Sequence, residues 1–301
     1  MVTPQTPTTI PQARQLLADP AMTESTPGQE FVQAAALGDD SGDIVVPYRA
    51  YLPASFPLFA HRPRFTVRQL LKMATVHDQD VPYIHEPQPD GEDRTVSGIT
   101  LESALESAFR PTLDHAELTD IGVSVPVPRG LLRFPRLLAA FIDYRVLVRF
   151  GTKENQVLLH GDEDGRVPGL MGLPGSRTIR TGQDPVDVLT SAAGIVEETG
   201  GSCDGIVAHT AVYWQAVEAG LLGRLNEAGI RIARTRMIPR DRVLLGDFRA
   251  AATFLDPGVS SLALRRGAAA DGGDVIEARS RMGLAVHLPQ HFVLVSPKKE
   301  G

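Results

Sequence analysis

His287 and His291 stand four residues apart, a spacing that on a helix sets two imidazoles on one face as zinc ligands. Pro289 lies between them and removes the helix that would supply this geometry, so both histidines read as structural. His77, His85 and His115 have no carboxylate at a motif spacing. Ser202 and Cys203 lie in Gly200-Gly201-Ser202-Cys203-Asp204-Gly205, where Asp204 replaces the glycine that a nucleophile elbow needs. The segment reads as a helix-to-strand connection with an inert thiol. Gly165, Gly169, Gly172 and Gly175 have the wrong spacing for a phosphate-cradling loop, and no Gly-Lys-Ser/Thr follows them. Asp162-Glu163-Asp164-Gly165 gathers carboxylates as a calcium loop does, but its glycine comes too early and the closing glutamate is missing. The adjacent carboxylates Glu197 and Glu198 would diverge on a helix. These patterns predict a chain with no catalytic residue, no cofactor site and no metal ligands.

The elements that carry these residues follow from periodicity. From Pro135 to about His160, Leu137, Phe141, Tyr144, Val148, Gly151, Asn155 and Leu158 repeat at spacings of four and three, which predicts one helix with that stripe facing the core. Pro135 suits its first turn, Gly161 its end, and the rod would be about 39 Å long. Asp184-Pro185 predicts the N-cap and first position of a second helix that ends at Gly200-Gly201. A strand at 206–209, a helix at 211–219, strands near 230–234, 243–245 and 262–265, and a strand-rich stretch at 275–295 complete an α+β body. Ahead of it, Val81–Glu86 and Ile121–Val127 read as the two strands of a long excursion with an irregular tip. Residues 66–73 have a helical pattern, and 11–18 are a short helical candidate.

The chain has 301 residues with 43% hydrophobic and 22% charged content, enough to bury a substantial core of about two domains. Twelve of the 23 prolines precede residue 90, so the front third is built differently from the rest. Its aromatics, among them Tyr48, Tyr51, Phe56 and Phe59, sit on a proline-broken segment that needs a surface to lie on, which predicts cover by another subunit. The net charge of −6 argues against nucleic acid as a partner of the whole surface. The single cysteine excludes an intrachain disulfide and fits a reducing cytoplasm. The N-terminus shows no signal peptide, and arginines interrupt the longest apolar stretch, which predicts no membrane span. Only four of the 30 basic residues are lysines, a bias that fits either a GC-rich genome or a heavily interfaced surface.

With these elements in order, five short motifs stand out. They are Val81-Pro82-Tyr83-Ile84-His85-Glu86, the strand exit Val125-Pro126-Val127-Pro128-Arg129-Gly130-Leu131-Leu132, the helix end Val157-Leu158-Leu159-His160-Gly161-Asp162 with Gly169-Leu170-Met171-Gly172 after it, Leu244-Leu245-Gly246-Asp247-Phe248, and Glu277-Ala278-Arg279-Ser280-Arg281-Met282. In this order they resemble the Hong Kong 97-type major capsid protein of tailed phages and its cellular relatives, the encapsulins. The resemblance covers roughly residues 65 to 296.

The resemblance implies an N-terminal arm (1–80), an extended loop (81–127), a peripheral domain with a long spine helix (128–183 and 273–301) and an axial domain (184–272). It implies a non-catalytic icosahedral shell protein, with T=1 symmetry and roughly 60 copies favoured. The residues before the extended loop (1–80) read as an arm rather than as a helical scaffold, which favours an encapsulin around a protein cargo, such as a biosynthetic enzyme. Nucleic acid is a partner only if the chain is instead a phage capsid protein. The family's five-fold pore falls on Glu218-Ala219-Gly220-Leu221-Leu222-Gly223-Arg224, expected as a loop in which Gly220 and Gly223 permit close approach, Leu221 and Leu222 lie between them, and Glu218 and Arg224 form charged rings. No lysine lies between Lys72 and Lys153, so the lysine–asparagine crosslink of some phage relatives is not expected. A soluble α+β enzyme or binding module is the reading from a different class.

Overall fold

Pro135 has no amide hydrogen to lose in a first helical turn, and Gly161 adopts a φ of 84° that ends the helix, so one rod runs from 135 to 160 as the sequence predicts. The computed structural model describes residues 26–37, 43–47, 66–87, 111–198 and 200–298. In chain order the elements are helix α1 (Pro27–Leu37), strand β1 (Ile44–Pro47), the single turn α2 (Val67–Leu70), and strands β2 (Lys72–Thr75), β3 (Asp80–His85), β4 (Thr112–Glu117) and β5 (Thr119–Pro126). The rod follows as α3 (Pro135–Phe141), a π-helical turn (Ile142–Val146) and α4 (Leu147–His160). Then come β6 (Arg177–Thr181), α5 (Leu189–Glu197), β7 (Gly205–Ala208), α6 (Thr210–Glu218), α7 (Leu221–Glu227), β8 (Arg231–Arg234) and β9 (Val243–Gly246). The chain closes with α8 (Phe248–Ala251), β10 (Ala252–Asp256), β11 (Ser260–Arg265), β12 (Val275–Val286) and β13 (Phe292–Pro297).

The π turn changes which face of the rod is buried. Leu138, Ile142, Val146, Leu147, Phe150, Val157 and Leu158 point into the core, whereas Leu137, Tyr144 and Val148 of the expected stripe are exposed. The Leu147 amide bonds the Ile142 carbonyl, one residue further back than in an α-helix. That extra residue rotates α3 against α4 by nearly one residue's turn, which a stripe counted at 3.6 residues per turn cannot anticipate.

Two sheets flank the rod. The first runs β1-β11-β12-β10-β2, with β5 on the other edge of β12. The second runs β6-β13-β9-β7-β8. Alternation along its strands sends Val207, Ala233, Leu244 and Leu294 into the large core under the rod. Ile206, Ala208, Val243, Leu245, Val293 and Val295 face a smaller core beneath α5 and α6. The sheets divide the chain differently from the expected boundaries. β6 and β13, expected in the peripheral part, pair within the sheet of β7–β9, whereas β10 and β11, expected in the axial part, pair with β12 and β2 in the first sheet.

Several expectations are corrected. The excursion pairs β3 with β4, Val81 opposite Ala116 and Ile84 opposite Leu113, whereas β5 pairs with β12. The helix expected at 66–73 ends at Leu70, because Leu71 turns extended and β2 then runs parallel to β10. Asp184 caps a turn, its Oδ1 accepting the Val186 amide at 3.0 Å, and α5 begins only at Leu189. Leu244–Phe248 is a strand end and a cap: Gly246 closes β9, and Asp247 accepts the Ala250 amide at the start of α8. The strand β10 has no counterpart in the expectations. The 11–18 candidate, the aromatics of 48–65 and the excursion tip at 88–110 lie outside the described residues.

The described parts of the front third pack on their own chain; the cover by another subunit was expected for aromatics that lie outside the described residues. Helix α1 packs on α3 with Phe31 fully buried, and β1 adds to the edge of β11. Asp143, in the π turn, holds α1: its Oδ1 accepts the Gly28 amide at 2.8 Å and its Oδ2 the Thr26 hydroxyl at 2.6 Å. A Cβ on Gly28 would stand 2.3 Å from the Ala139 carbonyl oxygen, so only glycine fits. At α2, Arg68 donates to Glu154 at 3.1 Å and to Asp256, and its guanidinium lies 4.3 Å above the Phe254 ring. Burial pushes the Glu154 and Asp143 carboxyls above the usual carboxylate range, with Arg68 pulling Glu154 back and the Thr26 and Gly28 donors pulling Asp143 back.

Three outcomes follow from these contacts. Gly28→Ala should cost about 1–3 kcal/mol of stability through overpacking, measured by thermal or denaturant unfolding. Arg68→Ala leaves the buried Glu154 and the half-buried Asp256 without their cation and should cost about 3–5 kcal/mol, several times the effect of Arg265→Ala in a more exposed pair. A raised folded-state pKa at Asp143 means that its stabilising contribution is complete at low pH and is lost as pH rises through that value. Asp143→Asn should therefore gain melting temperature relative to wild type more at pH 7.5 than at pH 4.5, and a gain confined to low pH would contradict this sign.

Candidate assembly surfaces

The segment expected as an open pore loop is a helical hairpin. Helix α6 is capped by His209, whose Nδ1 accepts the Ala211 amide at 3.0 Å, and it ends at Glu218. Gly220 takes a φ of 68°, reversing the chain within two residues, and α7 starts at Leu221. Gly223 therefore lies inside a helix, exposed and with open space around it, and does not supply a second tight turn. Leu221 and Leu222 are half-buried against the smaller core, which fixes the hairpin, while Glu218, Gly220 and Arg224 face solvent. Glu218 and Arg224 make no ion pair among the described residues, so both charges are open to symmetry-related copies.

Beside the hairpin, Trp214 is 56% exposed and stands edge-on to Tyr213 at 5.4 Å. Arg234 on the edge strand β8 lies 4.3 Å from the Tyr213 ring centre and 5.6 Å from that of Trp214. An exposed tryptophan stiffened by an arginine is a common anchor of protein interfaces. Its sequence signal was a single aromatic pair, and the arginine that completes it comes from a strand twenty residues later.

The β3–β4 ribbon has two unlike faces. Val81 and Tyr83 pack on Ala116, Leu118, Leu255 and Ala285, and His85 Nδ1 lies 2.8 Å from the Val286 carbonyl. The opposite face exposes Ile84 and Leu113 as a cross-strand apolar pair next to the His115–Asp80 pair at 2.9 Å. At the ribbon's base an open cleft of about 720 Å³ lies over the first sheet, floored by Gly122, Ser124, Glu277 and Arg279. Its charges are satisfied internally, Arg279 with Glu277 at 2.7 Å and Arg281 with Asp120 at 2.7 Å.

The residues weighed for chemistry are engaged structurally. His287 bridges the Ile84 carbonyl at 2.9 Å and the Thr253 hydroxyl at 2.9 Å, and His291 is buried at the start of β13. Asp162 Oδ1 accepts the Val167 amide at 2.8 Å across its turn. Burial pushes the Cys203 thiol up to about 12, which keeps it protonated and unreactive. No group of three or more metal-ligating side chains occurs among the described residues, and none of their helices is long and apolar enough to cross a membrane.

No protein-family model and no curated protein sequence matches the chain. Solved structures do. A virus-like particle from Pyrococcus furiosus aligns with a TM-score of 0.53 at 12% identity over 77% of this chain and 92% of its own. The capsid of the native GTA particle, computed with C5 symmetry, aligns with a TM-score of 0.53 at 15% identity over 78% and 96%. The Microbacterium phage Oxtober96 structure aligns with a TM-score of 0.55 at 15% identity over 94% and 99%. With its long spine helix, two-stranded excursion and two flanking sheets, the chain has the Hong Kong 97-type capsid fold.

Proposed function

We propose that the chain is a non-catalytic subunit that assembles with copies of itself into a closed icosahedral shell, T=1 with roughly 60 copies, in the bacterial cytoplasm around a protein cargo. The observation that carries this reading is the capsid fold shared with a virus-like particle and with a capsid of C5 symmetry. Exposed surface supports it: the Ile84–Leu113 face of the ribbon, Trp214 beside the hairpin, and Glu218 and Arg224, which make no ion pair among the described residues, are features that neighbouring copies would cover or repeat. A phage major capsid protein enclosing DNA is the second reading, favoured by the 94% of this chain that the Oxtober96 structure covers.

The α6–α7 hairpin is the segment we assign to the five-fold pore. Five copies would set rings of Glu218 and Arg224 around the axis, each ring acting as a charge filter on small ions. Negative-stain imaging of the purified recombinant chain should give uniform closed particles. Particles no larger than a monomer or dimer across salt and pH would refute assembly. Arg224→Glu should leave those particles intact while changing the entry rate of a small anion such as iodide several-fold, and unchanged entry would remove the pore assignment.

A further inference from the structure

Helix α6 opens on a histidine. His209 Nδ1 accepts the Ala211 amide at 3.0 Å, so a titratable ring fills a position that serine, threonine, asparagine or aspartate usually holds. An accepting Nδ1 must carry its lone pair, which only the neutral ring protonated on Nε2 provides. A second proton would set donor against donor and bring a positive charge to the positive end of the helix. Nothing around the ring relieves that charge. The first turn of α6 holds no acid, and β7 and β9, which flank it, carry no charged residue. Partial burial, and then the repulsion of Arg240 in the loop before β9, holds the imidazole below the usual histidine range. In that loop Arg236, Arg240, Asp241 and Arg242 are all exposed, three cations to one acid. Arg234 of β8 lies over the Tyr213 ring, Asp184 of the turn before α5 accepts the Gln215 side chain at 3.1 Å, and Asp187 of that turn is exposed.

We propose that His209 is an acid-sensitive latch on the α6–α7 hairpin: neutral, it caps α6, and protonated, it frees the first turn of that helix together with Trp214. The helix is short enough for one cap to matter. Of its nine residues only Val212 and Ala216 are buried, so few apolar contacts hold it once the cap is gone. Tyr213 and Trp214 follow directly on the capped turn, and Trp214 is 56% exposed, so loss of the cap reaches the aromatic pair first and the Gly220 reversal second. Helix α7 keeps its own anchors, the buried Leu225 and the half-buried Leu221 and Leu222, which confines the release to α6. Because the folded-state value of His209 lies below the ordinary 6.5, capping is complete above 6.5 and is lost as pH falls through that lower value. The latch requires only this fold, whereas any effect of it on entry at the five-fold axis rests on the pore reading of the hairpin.

The test follows the full-length chain from pH 7.5 to pH 4.5 by hydrogen–deuterium exchange. Protection of peptides covering 209–218, taken relative to the unfolded peptide at each pH, should fall about fivefold in wild type, the effect of losing one cap, while peptides covering α7 keep theirs. Trp214 is the only tryptophan of the chain, so its fluorescence anisotropy reports the same release and should fall with the same midpoint. His209→Asn keeps an acceptor at the cap and removes the titration, so both curves should become flat at their pH 7.5 level. Arg240→Gln, a change at an exposed residue, removes the repulsion and should move the midpoint to higher pH, which serves if His209→Asn misfolds. Wild type with pH-independent protection over 209–218 overturns the proposal, and so does a His209→Asn variant that loses protection as wild type does. Iodide entry into particles is read on the same samples. Release of α6 in acid with unchanged entry supports the latch and counts against the pore assignment alone, so the two failures are distinguished.

Discussion

Arg68 is a side chain on which three parts of the molecule meet. Its guanidinium is buried, and a buried charge persists only when paired. Glu154 of the spine and Asp256 at the end of β10 supply the partners, and Phe254 supplies an aromatic face. The pairing fixes α2 against the rod, and Asn155 reinforces it by accepting the Val67 amide at 3.1 Å. With α2 fixed, the chain leaves Leu71 extended and enters the first sheet as β2, parallel to β10. The ribbon of β3 and β4 follows from where β2 ends, and it is held there by Val81 and Tyr83 packing on Leu118, Leu255 and Ala285 and by the His85 and His287 contacts.

The same rod is clamped a second time at Asp143, and the two clamps explain its internal break. A π turn sacrifices regular hydrogen bonding and persists where neighbouring contacts demand it. Here the turn presents Asp143 to the Thr26 and Gly28 donors while keeping Ile142 and Val146 in the core. Because both acids of the rod face inward, the outward face is left with cations alone. Segregation of charge on the helix is thus a consequence of how the front third docks, and net charge taken over the whole chain does not register it.

The hairpin of α6 and α7 shows a different limit. Gly220 reverses the chain between the helices, with a φ of 68° that glycine adopts at little cost. Gly223, expected beside it in an open loop, sits in a helix, because Leu221, Leu222 and Leu225 dock on the smaller core and carry the helix through it. Tertiary packing overrode the local preference of glycine.

The sequence alone determined the rod from Pro135 to Gly161, most of the strands and helices of the back half, though not α7, α8 or β10, the lack of any motif with catalytic spacing, and a resemblance to capsid proteins carried by five short segments. These are local properties, set by backbone propensity, caps and periodicity within a few residues. Only the tertiary structure decided that β3 pairs with β4 and not β5, that Leu137 faces outward, and that Arg68 joins residues 86 and 188 positions away. Each of these depends on contacts between segments far apart in the chain, or on the phase of a helix after one inserted residue, and neither quantity is encoded in any short window of sequence.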